Sequence, residues 1–399
     1  MKLKAQSVAL LLLIGLVGCS SNPKTPALVQ GETGSYVVLL NPGEDGPAVA
    51  QEYQAKGAVV SAIYQNALQG FAGEFSASLL SELAADPRVK AMEADSVIHL
   101  GDLDAQTLTG SWSQDKAPWG LDRIDQESLP LDGKYSYWPA GKGVNVYIVS
   151  SGISKTHQDI QGRVFGGKDF VGDGWGTNDC YGEGTASASI IGGKTFGVAK
   201  ETKLHSVRVL DCRGNVVYSR YVQGLDWILA NAQKPAVVHM SVWNNGAGDL
   251  ALEEAAFKLI ASGIPVVITA GNDGGNSCRY SPQDTVTQMI RVGGTNSQDQ
   301  RFSDSPYGRC LDLFAPGFEV PVAWYEGSSL YAYLSESTLA AAHVSGVAAQ
   351  YLERKPNASP AEVKEAILKN ATAGVVQNAG NGSPNLLLKS WFGLIGTGN

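Results

Sequence analysis

The stretch YGEGTASASI, residues 181–190, places one acid, Glu183, in a glycine-flanked turn that opens a run of small residues. Such a frame presents a single side chain at the mouth of a buried helix, because glycine makes the turn and small residues allow close packing. A carboxyl there can serve acid–base chemistry. Its unperturbed pKa of about 4.3 makes it a feeble base toward an alcohol unless burial raises it strongly. The five histidines, His99, His157, His205, His239 and His343, offer no obvious alternative. None has a carboxylate partner at recognisable spacing, and His205 and His239 fall within predicted strands, where packing is the plainer role. Four cysteines, Cys180, Cys212, Cys278 and Cys310, remain once Cys19 is set aside. An even number in an exported chain reads as two disulfides with three possible pairings. Zinc is the weaker reading, since no pair has C-x-x-C spacing.

These residues need a scaffold, and the composition provides for one. The chain has 399 residues, 44% hydrophobic and 17% charged, which suits one large folded domain or two unequal ones. Its net charge of −8 argues against nucleic acid as a partner. Its 47 glycines favour a loop-rich α/β or β protein. Lys2 and Lys4 precede the apolar run SVALLLLIGLVG, which ends at Cys19 and is too short to span a bilayer comfortably. This is an export signal. Leu16-Val17-Gly18-Cys19 resembles a bacterial lipoprotein box, which makes Cys19 the lipidated first residue of the mature chain. Ser20 rather than Asp follows, as in outer-membrane sorting, so residues 1–19 are expected to be a lipoprotein signal and the protein to sit on the outer membrane.

Residues 20–34 read as a tether. A strand (35–40), a helix (44–57), a strand pair around a turn (58–76), a second helix (77–86) and a closing strand (89–100) give the order β-α-β-β-α-β of a small ferredoxin-like α+β domain. Residues 101–116 read as a second polar linker. A large α/β unit follows over 117–390, with a short tail over 391–399. Its short apolar runs at 143–150, 203–210, 236–242, 264–270 and 289–294 alternate with helical segments such as 221–233 and 249–263. That alternation predicts a parallel sheet covered by helices on both faces, with active residues collected at the strands' C-terminal ends.

The segments at those ends resemble the subtilase family of serine peptidases, in its proteinase K and aqualysin-like branch. APWGLDRIDQ (117–126), FGVAKETKLHSVRVLDC (196–212), AGNDGGNSCRYSP (270–282), YGRCLDLFAPG (307–317) and HVSGVAAQYLERKPNASPAEVKEAILKNAT (343–372) carry the likeness, which extends from Ala117 to about Leu388. Residues 35–100 resemble the family's inhibitor-type propeptide, a folding chaperone. The resemblance implies a subtilisin-like fold and a Ser-His-Asp triad. The family Asp, in V-Y-V-I-D-T-G-I, falls on Ser150 of VYIVSSGI; the His, in G-H-G-T-H, falls on Glu183; the nucleophile, in G-T-S-M-A-T-P-H-V-A-G, falls on Thr338 of ESTLAAAHVSG. All three differ, while the oxyanion Asn of A-G-N is kept as Asn272. Removing triad members leaves roughly 10³–10⁴-fold enhancement over water, negligible for a peptide bond. No residue is therefore expected to be catalytic.

The family binds substrate as a strand between two edge segments. At one, S-L-G-G-G becomes SVWNN (241–245), so Ser241 is followed by Trp243 and Asn244 at glycine positions. At the other, G-S-G becomes Gly214-Asn215-Val216. Side chains where a backbone must approach closely are expected to block strand addition and partly fill the cleft. In this branch Cys180 pairs with Cys212 and Cys278 with Cys310, each closing a loop of about 30 residues worth roughly 2–4 kcal/mol. Asp122, Asp125, Gln126 and Asp132 match a family calcium loop, and Asp312 matches a carboxylate at a second calcium site.

Together these readings describe an exported, lipid-anchored subtilase homologue that has lost peptidase activity. Its propeptide stays attached in cis for want of a self-cut. Three roles compete: a binding or regulatory module engaging a related secreted protease or its propeptide, a cryptic hydrolase using Thr338 and Glu183, and a structural or secretion-linked lipoprotein.

Overall fold

A computed structural model describes residues 33–99, the backbone of 106–108, and residues 116–137, 139–241 and 249–390. The export and lipidation signal with Cys19, the groove residues Trp243 and Asn244, and the tail 391–399 lie outside the described residues.

The first unit runs β1 (Gly34–Leu40), α1 (Gly46–Ala55), β2 (Val59–Tyr64), β3 (Gly70–Phe75), α2 (Ala77–Ala85) and β4 (Val89–Ala94). Its antiparallel sheet has the order β2-β3-β1-β4, as the ferredoxin-like pattern predicts. Asp45 accepts from Ala48 N to start α1, and Ser76 accepts from Leu79 N to start α2. Strand period two divides β1: Val38 and Leu40 join the unit's own core, while Val37 and Leu39 face the second unit. The closing strand predicted over 89–100 is broken. β4 stays in the sheet, and β5 (Val97–His99) leaves it. The break falls at Asp95–Ser96 because both residues bond outward: the Asp95 carboxylate accepts from Ser219 N and Oγ at 2.8 and 2.7 Å, and Ser96 O accepts from Tyr218 N at 2.9 Å.

The second unit contains β6 (Gln106–Leu108), α3 (Trp119–Ile124), β7 (Asn145–Ser150), β8 (Val164–Asp169), α4 (Glu183–Gly192), β9 (Lys203–Arg208), β10 (Asn215–Val217), α5 (Tyr218–Asn231), β11 (Ala236–Met240) and α6 (Leu250–Ala261). It continues through β12 (Val266–Thr269), β13 (Ile290–Thr295), β14 (Leu313–Pro316), β15 (Val320–Ala323), β16 (Tyr331–Leu334), α7 (Ser337–Arg354), α8 (Pro360–Asn370), β17 (Thr372–Ala373) and β18 (Leu386–Leu387). Nine strands form one sheet in the order β17-β18-β14-β13-β12-β11-β7-β9-β8, all pairs parallel except β17–β18. Val146 and Ile148 face α4 and α7; Tyr147 and Val149 face α5 and α6. Burial on both faces explains why these strands read as unbroken apolar runs.

The first unit docks on the α5–α6 side through three acids. Glu93 accepts from Leu250 N at 2.6 Å and Ala251 N at 3.1 Å, at the start of α6. Asp95 does the same for α5 through Ser219. Asp226, in turn, accepts from Asn66 N, Ala67 N and Asn66 Nδ2 at 2.7, 2.5 and 2.8 Å. Acids at helix N-termini meet unpaired N–H groups and the positive end of the helix dipole. Asp226→Ala strands two backbone donors, so residues 35–99 should be cleaved faster in limited proteolysis while the second unit stays resistant. An unchanged digestion pattern would show that Asp226 does not anchor the interface.

Candidate active site

The C-terminal end of β7, the turn into α4 and the start of α7 converge. Ser150 is the last residue of β7, Glu183 the first of α4, and Thr338 the second of α7, and all three are buried. The Ser150 hydroxyl donates to Glu183 Oε2 at 3.3 Å. The turn carrying Glu183 is held firmly. Asp179 accepts from Tyr181 N, Gly182 N and Thr185 N, each at 2.9 Å, and from Thr185 Oγ1 at 2.6 Å. Gly182 has φ +120°, and a Cβ there would lie 2.5 Å from the Trp324 ring. A Cβ on Gly184 would lie 2.0 Å from Gly152 O, so both glycines of GEG are required. Asn272 Oδ1 accepts from Ser337 N at 3.2 Å, which leaves its amide N–H groups as the donating end.

A fourth residue completes this arrangement and is not among those the sequence singled out. Glu336 is the N-cap of α7, two residues before Thr338. Burial and the neighbouring negative charge of Glu336 push the Glu183 carboxyl well above its usual range. Hydrogen bonding from the Ser150 and Thr338 hydroxyls only partly opposes this. Burial likewise raises Glu336. Two neighbouring buried carboxyls resist double ionisation, so Glu183 keeps its proton above the ordinary carboxyl range. The signal for Glu336 was present in ESTLAAAHVSG, where it stands at the glycine of G-T-S.

None of the five histidines substitutes at this position. His157 bonds Leu330 O, His205 the Asn145 side chain, His239 the Ser345 hydroxyl, His343 Leu339 O and His99 the Asn215 side chain.

The edge segment Gly214-Asn215-Val216 does not block strand addition, contrary to the expectation drawn from its side chains. β10 pairs antiparallel with β5 in the register Asn215↔His99, Val216↔Ile98 and Val217↔Val97. Val216 is wholly buried and contributes to the core that also contains Ile98. A strand side chain stands perpendicular to the ladder, so Val216 packs without obstructing its hydrogen bonds. Ser241, at the opposite segment, donates its hydroxyl to Val149 O at 3.0 Å and so braces the end of β7.

Both disulfides form as the resemblance implies. Cys180–Cys212 ties the loop before Glu183 to the turn before β10, and Cys278–Cys310 ties the segment after Asn272 to the approach to β14. The first calcium-loop acids lie near enough to feel one another's charge, and each is taken up by backbone amides. Asp122 accepts from Asp132 N and Gly133 N, Asp125 from Ser136 N, and Asp132 from Lys134 N. Burial, aided by the charges of Asp122 and Asp132, pushes Asp125 up to about 6, a crowding that a cation would relieve. Gln126 turns its amide nitrogen to Ser128 O and Pro130 O. Asp312 does not fit a calcium site. It accepts from Arg291 N, Nε and Nη2 and pairs with Lys364 Nζ at 2.8 Å, so its charge is already neutralised by two cations.

A parallel α/β sheet with a strand-accepting cleft at its C-terminal edge, covered by an inhibitor-like α+β unit, defines a peptidase scaffold with its propeptide docked. The chain belongs to the subtilase family, whose model matches residues 141–386; the peptidase inhibitor I9 model matches residues 35–101. It is 42% identical to an extracellular serine proteinase of Thermus sp. (strain Rt41A), over 96% of this chain and 98% of that one. It is 39% identical to alkaline serine exoprotease A of Vibrio alginolyticus, over 83% of this chain and 60% of that one. The crystal structure of a cold adapted subtilisin-like serine proteinase superposes with a TM-score of 0.66 at 38% identity, covering 69% of this chain and 99% of that chain.

Proposed function

We propose that this subtilase homologue has no peptidase turnover, keeps its I9 unit covalently attached, and acts by binding protein. The observation that carries the reading is the Ser150–Glu183 hydrogen bond at the position of an Asp–His pair. A protonated carboxyl cannot accept the Thr338 proton, and a serine cannot stabilise a positive base. The export signal and Cys19 make it a lipoprotein of the outer membrane in this reading, tethered by residues 20–34. Its partner is a related secreted protease or that protease's propeptide. In this reading calcium would be held by Asp122, Asp125 and Asp132, as a structural ion of the segment before β7.

The test is expression of the full chain, followed by intact mass, labelling with a fluorophosphonate probe and peptide turnover from pH 4 to 10. The expected result is a mass with no cut between residues 100 and 116, no label and no turnover. Self-cleavage that vanishes in Thr338→Ala would overturn the proposal. A second reading, a hydrolase using Thr338 and Glu183, draws on the raised Glu183 carboxyl, which is a stronger base once ionised. It requires turnover that appears only at alkaline pH and is lost in Glu183→Gln.

A further inference from the structure

The two sulfurs of Cys180–Cys212 lie in unequal surroundings. Cys180 is buried, three residues before Glu183, while Cys212 is partly exposed in the turn before β10. Beside both stands Arg208, the last residue of β9 and wholly buried. Oxygens fix its guanidinium: Nε donates to Ser151 O at 3.1 Å, and Nη1 and Nη2 pair with the Asp173 carboxylate at 2.6 and 2.7 Å. Asp169 adds a contact to Nη1 at 3.3 Å. The second N–H of Nη2 is directed at sulfur, with Cys180 Sγ at 3.2 Å and Cys212 Sγ at 3.7 Å. Cys212 Sγ also lies 3.7 Å from Asp173 Oδ2. A disulfide sulfur is a weak acceptor and has no proton to give. The reduced pair is the better match: a Cys180 thiolate accepts a charge-assisted bond from Arg208, and a Cys212 thiol donates to Asp173. Donor and acceptor are therefore already placed for the products of reduction. Among the described residues no N–H is bonded to the sulfurs of the other link, Cys278–Cys310.

We propose that Cys180–Cys212 is a thiol–disulfide exchange site that takes an external dithiol as its reductant. The dithiol's thiolate attacks Cys212 Sγ, the more accessible sulfur, where the pairing with Arg208 offsets the Asp173 charge it meets. The S–S bond breaks and its electron pair leaves on Cys180 Sγ, beside the Arg208 N–H, and a stabilised leaving thiolate speeds the step. The dithiol's second thiol gives its proton to water, attacks the mixed disulfide and expels Cys212, which takes up a proton. Two electrons pass to the chain, and the dithiol departs as a disulfide. With the guanidinium in their midst, the reduced sulfurs and Asp173 make a poor cage for a cation, so the site is one of exchange rather than of metal binding. It stands whether or not the chain has peptidase turnover.

The test treats the folded full chain with dithiothreitol at neutral pH, followed by acid quenching, alkylation and peptide mass mapping. Cys180–Cys212 should open at least about tenfold faster than Cys278–Cys310, and the two rates should converge in urea, where the Arg208 geometry is lost. With glutathione, a monothiol trapped by alkylation at the mixed disulfide, the adduct should sit on Cys212 and the alkyl label on Cys180. Arg208→Lys, which keeps the charge but not the fixed fork, should cut the rate advantage by at least about fivefold. The wild-type rates and the adduct position decide the matter even where this variant does not fold. Equal or slower opening of Cys180–Cys212, an advantage that persists in urea, glutathione on Cys180, or an undiminished advantage in a folded Arg208→Lys chain would overturn the assignment.

Discussion

A chain carrying Ser150→Asp, Glu183→His and Thr338→Ser together, with Glu336→Gly, is expected to cut itself between His99 and Lys116 and to take up a fluorophosphonate probe. The frame for those groups is intact. Asp179 still binds the turn before α4, Gly182 and Gly184 keep their close approaches, and Asn272 still braces Ser337 N. An extended segment is also already in place, since β5 is paired along β10. Triad members act as a unit, and removal costs on the order of 10⁶-fold in turnover, so the combined variant should exceed wild type by at least about 10³-fold in peptide hydrolysis. Thr338→Ser alone should gain almost nothing, because a serine without a base is no better than a threonine. Intact mass and peptide turnover decide the matter. A restored chain that remains whole, unlabelled and silent would place the loss in the groove rather than in the triad.

Glu336→Gln is expected to raise the melting temperature at pH 8 by about 2–4 °C, and to leave it unchanged at pH 4.5. The sign follows from linkage. Glu183 and Glu336 both have native carboxyls held above their ordinary values, so their contribution is full below pH 4.5 and is lost as pH rises through the native range. Removing one of the two charges spares the other the repulsion. Glu93, pushed up to about 7 by burial, weakens docking of the first unit in the same direction as pH rises. The acid limb has a different origin. His205 and His343 are held at about 4 and His239 at about 3, and His157 is also lowered, all chiefly by burial. Their contribution is present above pH 6.5 and lost as pH falls. Wild-type stability should therefore peak near neutrality, and Glu336→Gln should lift only the alkaline side. Scanning calorimetry from pH 4.5 to 8.5 tests this; a uniform shift at every pH would mean that Glu336 acts through packing rather than charge.

Local sequence determined much of this protein. The β-α-β-β-α-β order was legible because short apolar strand runs alternate with two helices that carry their own caps, at Asp45 and Ser76. The parallel sheet was legible because burial on both faces makes β7, β11 and β12 continuous apolar runs. The replaced residues Ser150, Glu183 and Thr338, and the cysteine pairing, were legible through long stretches of family resemblance.

Tertiary structure decided what those residues do. Nothing in the local pattern of 89–100 marks Asp95 as the point where a strand leaves its sheet, because the bonds that turn it come from Ser219, 124 residues away. Val216 read as an obstruction, yet it packs beside a paired strand, since obstruction depends on which way a side chain stands from the ladder. Asp312 read as a calcium ligand, but Arg291 and Lys364, remote in sequence, take its charge. The acidity of Glu183 was the furthest from reach. A carboxyl's proton affinity is set by the water it has lost and the charges around it, and both are fixed only when α4 and α7 bring Glu183 and Glu336 together.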